Sequence, residues 1–213
     1  KWNGMIAKPH GIVLVTGPTG SGKTTTLYST MKFLATPDVN VCTVEDPIEM
    51  VEPQFNQMQV QQNIGVDFAS GIRTLMRQDP DIIMVGEIRD LETAEMAIQA
   101  ALTGHLVLST LHTNDAPSAM TRLLDLGVPS YLMTSTVLGV MAQRLVRVLC
   151  PACKEQAPLE DSAWELLVAP WKAQKPDTMY VAKGCLDCRM TGYVGRIGIY
   201  EIMVLNNEIR NLI

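Results

Sequence analysis

Residues 17–24 read Gly17-Pro18-Thr19-Gly20-Ser21-Gly22-Lys23-Thr24, and they stand between the apolar run Ile12 to Val15 and a segment of helical period. In such a loop, successive backbone amides can surround an anion at the positive end of the following helix. The spacing predicts a loop that holds the phosphates of a nucleoside triphosphate. We expect Lys23 to reach the β- and γ-phosphates and Thr24 to ligate Mg²⁺. The competing interpretation is a glycine-rich turn that binds nothing.

The composition favours one sizeable soluble domain or a core domain with a small appendage. Nearly half of the 213 residues are apolar, and the formal net charge is −5. A general nucleic-acid binder is disfavoured, because phosphate backbones are held mainly by clustered Lys and Arg. No apolar run approaches the roughly 20 residues needed to span a bilayer, and the first residues do not resemble a secretory signal. We therefore expect a cytosolic domain.

Short apolar runs alternate with longer stretches of helical period from residue 11 to about residue 147. This alternation is typical of a parallel sheet with crossover helices. Asp90 and Asp115 are expected to cap two of the helices. The predicted strands are Ile12 to Val15, Val41 to Val44, Ile82 to Val85 and Leu106 to Leu108. The predicted buried helix faces consist of Leu27, Met31 and Leu34, and of Ala94, Ala97, Ile98 and Ala101.

The last segment of helical period predicts a long helix from Tyr131 to about Arg147. Its predicted inward residues are Val137, Val140, Met141, Leu145 and Val148. At Leu149-Cys150-Pro151 the composition changes, because proline, lysine and glutamate become frequent. The alternation then stops until Ile197 to Met203. We place a domain boundary near residue 149.

Carboxylates follow two of the predicted strands. Glu87 follows the run Ile82 to Val85, where a phosphate-binding enzyme needs an acidic group near its metal; the alternative is a carboxylate that caps the next helix. Glu45, Asp46 and Glu49 follow the run Val41 to Val44, at the strand end where open α/β sheets bind ligands. Such a cluster can polarise an attacking water or attract the metal, although acidic turns are also common on surfaces.

Two histidines and two arginines are further candidates. His105 and His112 flank the run Leu106 to Leu108, and a histidine after a strand can donate to a γ-phosphate oxygen. Histidines near strands are also often structural. Arg73 and Arg77 are spaced one helical turn apart and predict a shared face, either for charge stabilisation at a phosphate or as a solvated basic surface.

Four of the five cysteines form the pairs Cys150-Pro151-Ala152-Cys153 and Cys185-Leu186-Asp187-Cys188. Two such pairs suit a closed tetrahedral Zn²⁺ site with four thiolates and no open position for catalysis. A redox pair, which does not require two copies, and coincidence are the alternatives. Cys42 is left over in an apolar run and is expected in the core.

In their order along the chain, the phosphate loop, the acidic turn, Gly86-Glu87-Ile88-Arg89-Asp90 and Gly104-His105 through Thr113 closely resemble the secretion ATPase superfamily. Within it, the chain is most similar to the ATPases of type II secretion and type IV pilus assembly, the general secretion pathway protein E and PilB families. The resemblance covers nearly the whole chain and corresponds to the C-terminal ATPase domain. It implies a RecA-like P-loop core with a mainly parallel sheet, a small tetracysteine zinc module and a C-terminal segment.

The resemblance also implies roles for matching positions. Thr43 through Glu49 matches the Asp box, in which Glu49 resembles the general base. Gly86-Glu87 ends the Walker B strand, so that Glu87 helps to organise Mg²⁺ and water. Thr103 through Thr113 matches the His box. The implied catalytic residues are Lys23, Glu49, Glu87 and His112; the implied nucleotide-binding residues are 17–24 and Thr25; and the supporting residues are Glu45, Asp46, Arg73, Arg77, His105 and Arg196.

Three regions are expected from the resemblance. Residues 1–148 form the ATPase core, residues 149–192 form the zinc module, and residues 193–213 begin a segment that packs back on the core, where Arg196 approaches the nucleotide. The tetracysteine element matches secretion and pilus-extension ATPases, whereas pilus-retraction ATPases lack it. A preceding N-terminal domain, which in the family contributes arginines and closes over ATP, is expected outside this sequence.

We therefore expect a Mg²⁺-dependent ATPase that uses ATP and carries Zn²⁺. The resemblance implies a homo-hexamer in the full-length protein, which assembles pilins or pseudopilins at the cytoplasmic face of the inner membrane together with platform and adaptor proteins. One alternative is a RecA-like motor that moves or takes up DNA, which the acidic balance and the lack of aromatic residues interleaved with basic ones disfavour. The other is a nucleotide-gated scaffold without useful turnover.

Overall fold

The structure, a computed structural model, describes residues 1–171 and 173–213. It contains two compact units, Lys1–Arg144 together with Gly198–Ile213, and Leu145–Ile197. The elements are α1 (Trp2–Ile6), β1 (Gly11–Thr16), α2 (Lys23–Leu34), β2 (Val41–Glu45), β3 (Asn56–Gln59), a 3₁₀ helix (Gln62–Ile64), α3 (Phe68–Leu75), β4 (Ile82–Val85), α4 (Leu91–Leu102), β5 (Leu106–Leu111), α5 (Ala116–Asp125), α6 (Ser130–Thr136), β6 (Val137–Leu149), β7 (Glu155–Ala157), α7 (Asp161–Val168), β8 (Met179–Val181), β9 (Tyr193–Val204) and α8 (Asn207–Arg210).

Seven strands form one sheet in the order β3-β2-β4-β5-β1-β6-β9. The pairs β2 with β3, β2 with β4, β4 with β5, β1 with β5 and β1 with β6 are parallel. The carboxyl ends of β1, β2, β4 and β5 therefore lie along one edge of the sheet, which we call the carboxyl edge. The predicted α/β fold with a mainly parallel sheet is confirmed.

Both faces of this sheet are covered, which explains why its strands are continuously apolar rather than alternating. In β1, Ile12 and Leu14 join a core with α3 to α6, whereas Val13 and Val15 join a second core with α1 and α2. All six residues of β1 are buried. The four predicted strands are present, and the predicted helix faces pack into these two cores.

Aspartates begin three helices whose N-termini follow strands of the sheet. Asp67, Asp90 and Asp115 each accept a hydrogen bond from the backbone amide three residues later, at 2.8 Å in each case. Pro117 stands in the first turn after Asp115, where its missing N–H costs nothing. The two caps predicted at Asp90 and Asp115 are confirmed.

The predicted helix from Tyr131 to about Arg147 is wrong. Helix α6 ends at Thr136, and residues 137–149 form β6, the longest strand of the sheet. Leu14 and Val15 of β1 pair with Val140 and Met141 of β6. A short apolar run that is buried on both sides fits the period of a helix as well as that of a strand. Here it forms a strand because it pairs with the edge of β1 that β5 does not occupy.

The unit Leu145–Ile197 contains the antiparallel pair of β7 with β8 and the helix α7. The guanidinium carbon of Arg147 lies 3.8 Å from the ring centre of Tyr193, which is a cation–π contact. Among the residues that the structure describes, no helix is both long and apolar enough to cross a membrane.

Candidate functional site

The loop after β1 requires glycine where the backbone comes closest to β6. Gly17 has a φ of +146°, and a Cβ built there would lie 2.3 Å from the carbonyl oxygen of Gln143. Gly20 and Gly22 also have positive φ angles of 76° and 85°. This backbone would be strained in most other residues, so the glycine spacing of the sequence is a direct consequence of the loop's shape.

Helix α2 begins at the end of this loop without a side-chain cap, because its N-cap residue is Gly22. The first amides of a helix have no partner within the helix, and together with the helix dipole they favour an anion. The hydroxyl oxygen of Ser21 is buried and has no hydrogen-bond partner among the described residues. An uncapped helix start beside an unpaired hydroxyl fits a phosphate group.

The side chain of Lys23 lies within the loop rather than in solvent. Its Nζ donates to the carbonyl oxygens of Gly17 at 2.9 Å and Pro18 at 3.2 Å. Burial lowers the pKa of Lys23, and the charges of Glu87 and Glu49 oppose this shift. Both predicted acids therefore act electrostatically on the lysine that is expected to bind phosphate.

Glu87 follows β4 at the carboxyl edge and faces two cationic or ionisable partners. One carboxylate oxygen lies 2.5 Å from the guanidinium of Arg89, and the other lies 3.4 Å from Nε2 of His112. Gly86, which precedes Glu87, is bonded to the strands on both sides of β4. The amide of Gly86 donates to the carbonyl of Val44 in β2, and the carbonyl of Gly86 accepts from the hydroxyl of Thr110 in β5. Glu87 and His112 thus meet although they leave different strands.

The three carboxylates at and after the end of β2 have different environments. Glu45 is 3% exposed and accepts hydrogen bonds from the hydroxyls of Tyr28 and Thr43. Asp46 and Glu49 are exposed. Asp46 contributes to the raised pKa of Arg89, whose largest cause is its hydrogen bond with Glu87. Glu49 is the member of this group whose charge reaches Lys23.

Three of the predicted residues do not join this group. His105 precedes β5, where it contacts the carbonyl of Ala100, and the six residues of β5 separate it from the carboxyl edge by about 20 Å. Arg73 lies 3.8 Å from Glu92 on the exposed surface. Arg77 is exposed and stands beyond the end of α3, so the two arginines do not share a continuous helix. Arg196 belongs to the unit Leu145–Ile197.

The four paired cysteines converge on one point of the unit Leu145–Ile197. The sulfurs of Cys150 and Cys185 are 3.9 Å apart, those of Cys153 and Cys188 are 3.8 Å apart, and all four lie within 4.8 Å of one another. Zinc–sulfur bonds of about 2.3 Å in a tetrahedron place the sulfurs about 3.8 Å apart. The donor set and its spacing therefore fit Zn²⁺.

Backbone amides point at these sulfurs. The amides of Cys185 and Gly192 donate to the sulfur of Cys188 at 3.1 and 3.2 Å, and the amide of Gly184 donates to that of Cys153 at 3.3 Å. Burial alone would raise the pKa of Cys188, but hydrogen bonds from the amides of Cys185 and Gly192 and from the thiols of Cys185 and Cys153 lower it to about 6. The pKa of Cys153 is raised, mainly by burial. Among these sulfurs, the backbone amides thus favour negative charge most clearly on that of Cys188.

A family model described as Type II/IV secretion system protein matches residues 1–213. The chain belongs to this family. It is 62% identical over its whole length to the type IV pilus assembly ATPase TfpB of Acinetobacter baylyi, of which it covers 36%. It is 55% identical over 98% of its length to the type II secretion system protein E of Pseudomonas aeruginosa, of which it covers 41%. The chain thus spans only about two fifths or less of these relatives.

A crystal structure of the pilus retraction motor PilT with bound ADP is also similar to this secretion-family chain. The TM-score is 0.67 and the identity is 32%, over 98% of this chain and 51% of that one. The expected resemblance to secretion and pilus ATPases is confirmed.

Sequence reasoning missed one residue of the site in this family member. Gln143 is 3% exposed, and its side-chain amide donates to the carbonyl of Ser21 at 2.7 Å. Its side-chain oxygen accepts from the hydroxyl of Thr26, also at 2.7 Å. Gln143 therefore ties the phosphate loop to the first turn of α2. The available signal was one uncharged polar residue within the apolar run of β6.

A cavity of about 550 Å³ opens beside the start of α2. Aromatic side chains of Trp2, Phe33 and Tyr200 line it, together with the hydroxyl groups of Thr25 and Ser29. Its volume and mainly apolar lining are typical of a small-molecule site. Thr25 directly follows the phosphate loop, so the loop and the cavity are adjacent.

Proposed function

We propose that the chain binds and hydrolyses ATP and forms the motor domain of a homo-hexameric ATPase that powers the assembly of pilins or pseudopilins. The observation that carries this proposal is the meeting of Lys23, Glu87, His112 and the charge of Glu49 around the phosphate loop. The family membership and the secretion and pilus ATPases among its relatives support the biological role.

In this proposal the chain holds the nucleotide mainly by its phosphates. The amides of the phosphate loop and of the first turn of α2 bind phosphate oxygens, and Lys23 turns from its carbonyl partners toward the γ-phosphate. Thr24 and Glu87 would hold Mg²⁺, and the ion would supply positive charge against the negative charge that develops on the phosphates. The nucleoside occupies the cavity beside Thr25, where the rings of Trp2 and Tyr200 can contact the base.

Hydrolysis requires an attacking water and a group that accepts its proton. Glu49 is exposed and lies within electrostatic reach of Lys23, so we assign it the role of general base. His112, which contacts Glu87, donates to a γ-phosphate oxygen. Positioning and electrostatic stabilisation supply most of the rate enhancement in phosphoryl transfer.

The tetracysteine cluster holds a structural Zn²⁺ ion in this proposal. Four thiolates leave no open coordination position, so the ion stabilises residues 145–197 and takes no part in hydrolysis. We place the protein at the cytoplasmic face of the inner membrane, where it binds platform and adaptor proteins of the secretion or pilus machinery.

Phosphate release by the purified protein with ATP and Mg²⁺ tests the activity. We expect Lys23→Ala to abolish both nucleotide binding and release with the fold retained. Glu49→Gln should keep ATP binding and reduce the rate by about 100-fold or more. Glu95→Gln, an exposed glutamate of α4, is the matched control and should leave the rate unchanged. Wild-type turnover in Glu49→Gln would contradict the assignment of the base.

A further inference from the structure

Two glutamine side chains of β3 hold the loop that carries Glu49, here called the Glu49 loop (residues 46–52). The backbone amide of Ile48 donates to the side-chain oxygen of Gln59 at 3.4 Å. The carbonyl of Met50 accepts from the side-chain amide of Gln57 at 2.9 Å. Because Ile48 and Met50 flank Glu49 in the chain, the backbone on both sides of Glu49 is attached to β3.

Gln57 makes a second bond to the same loop. Its side-chain oxygen accepts from the backbone amide of Glu52 at 2.7 Å, while its nitrogen donates to Met50. A primary amide that donates and accepts at once has a fixed orientation, because exchanging its nitrogen and oxygen would break both bonds. Gln57 thus binds the Glu49 loop as a neighbouring strand would, with one donor and one acceptor.

The orientation of Gln57 is itself supported by a buried network. Its side-chain nitrogen also donates to the phenol oxygen of Tyr28 at 2.8 Å, and the Tyr28 hydroxyl donates to Glu45 at 2.7 Å. A buried carboxylate such as Glu45 is costly unless it accepts hydrogen bonds, so this geometry is strongly favoured. Burial and Glu45 raise the pKa of Tyr28, which keeps its hydroxyl protonated.

Tyr28 lies on α2, the helix that begins at the phosphate loop. A continuous series of hydrogen bonds therefore runs from α2 through Tyr28 and Gln57 to the Glu49 loop. Lys32, one turn further along α2, adds an ion pair with Glu52 at 2.5 Å. The same helix thus supports the phosphate loop at its start and the Glu49 loop at its side.

We propose that Gln57 is a positioning residue for hydrolysis: it fixes the Glu49 loop relative to the phosphate loop, with Tyr28 as its support. The inference rests on the proposed function, since it requires Glu49 to act on the attacking water. A displacement of about 1 Å can cost a factor of about 100 in rate. Loss of Gln57 should therefore lower kcat and leave ATP binding intact.

Steady-state phosphate release and the Kd of a labelled nucleotide test this with three variants. We expect Gln57→Leu to lower kcat about 10- to 100-fold, with KM and Kd unchanged within about twofold. Tyr28→Phe, which keeps the ring that packs 6.0 Å from Phe55, should lower kcat by a smaller factor. The control is Asn56→Leu, a change in the same strand as Gln57, which removes the side-chain hydrogen bond from Asn56 to Asn40 and should leave kcat unchanged.

Combination with Glu49→Gln separates positioning from general loss of structure. Gln57→Leu should have no further effect on the residual rate of the Glu49→Gln protein, because the group that it positions is already gone. An equal fold-loss in both backgrounds, or an unchanged kcat in Gln57→Leu, would overturn the inference. Wild-type protein that binds ATP but releases no phosphate would instead overturn the proposed function.

Discussion

The guanidinium of Arg89 lies 2.5 Å from a carboxylate oxygen of Glu87, the acid that we assign to Mg²⁺. The carboxylate is 14% exposed, whereas the arginine side chain is 64% exposed. The arginine therefore occupies the solvent side of the acid and has to leave this oxygen if the metal is to use it.

Arg89→Ala should increase the apparent affinity for Mg²⁺. A solvent-exposed ion pair contributes about 0.2–1 kcal/mol, so we expect the Mg²⁺ concentration for half-maximal hydrolysis to fall by up to about fivefold. A titration of phosphate release with Mg²⁺ at saturating ATP measures this. Arg73→Ala, which removes another exposed arginine–glutamate contact, is the control and should leave the midpoint unchanged. A higher midpoint in Arg89→Ala would contradict the competition.

Gly17→Ala should destabilise the protein and abolish nucleotide binding. The new methyl group would lie 2.3 Å from the carbonyl oxygen of Gln143, at a φ of +146°. Overpacking and backbone strain together cost roughly 2–6 kcal/mol. Gly65→Ala has a φ of +77° with no atom within 4 Å, so it should cost only about 1–2 kcal/mol. Urea unfolding compares the two, and equal losses would show that the contact with Gln143 is unimportant.

Removal of zinc should unfold the cysteine cluster. Structural zinc sites contribute on the order of 10–16 kcal/mol in small peptides, and domains are stable by only about 5–15 kcal/mol. We expect one Zn²⁺ per chain by elemental analysis. After chelation, hydrogen exchange at the amides of Gly184, Cys185 and Gly192 should accelerate at least about 100-fold. These amides donate to the sulfurs of Cys153 and Cys188, which zinc holds in place. The amide of Ile83 in β4 is the internal control, and persistent protection at Gly192 would contradict a structural metal.

Nucleotide binding should change the fluorescence of Trp2. A Trp164→Phe/Trp171→Phe variant leaves Trp2 as the single tryptophan of the chain, which contains three. ADP should shift or quench its emission, because the base enters the cavity that Trp2 lines. Inorganic triphosphate, which has no nucleoside, should bind the loop with a much smaller change. An equal response to both ligands would show that the nucleoside lies elsewhere.

The fold was predictable where a local pattern has a local cause. The phosphate loop depends on backbone angles that only glycine adopts easily, and Asp90 and Asp115 cap helices with their own side chains. Strand β6 was not predictable in this way. Its residues are apolar at helical spacing as well as at strand spacing, and its conformation follows from pairing with β1, more than 120 residues earlier in the chain.

The site was predictable to the extent that a recognisable strand shows where the next functional loop begins. Lys23, Glu49, Glu87 and His112 all stand at or after the ends of predicted elements. Gln57 and Gln143 carry no such signal, because a glutamine matters here only through the particular backbone groups that it meets. Short strands such as β3, with four residues and two exposed positions, also lack a clear pattern.

The aspartate caps have a consequence for where an anion can bind. Helices α2 to α5 all start toward the carboxyl edge, so four positive helix termini face the same side of the sheet. Asp67, Asp90 and Asp115 place a negative charge on three of them and already occupy an amide in each. Only α2 starts at a glycine with no side chain to offer. The capping pattern thus disfavours a polyphosphate at three of the four termini and leaves the start of α2 to bind it. The helix starts therefore help to define where the triphosphate binds, independently of any lysine or metal ion.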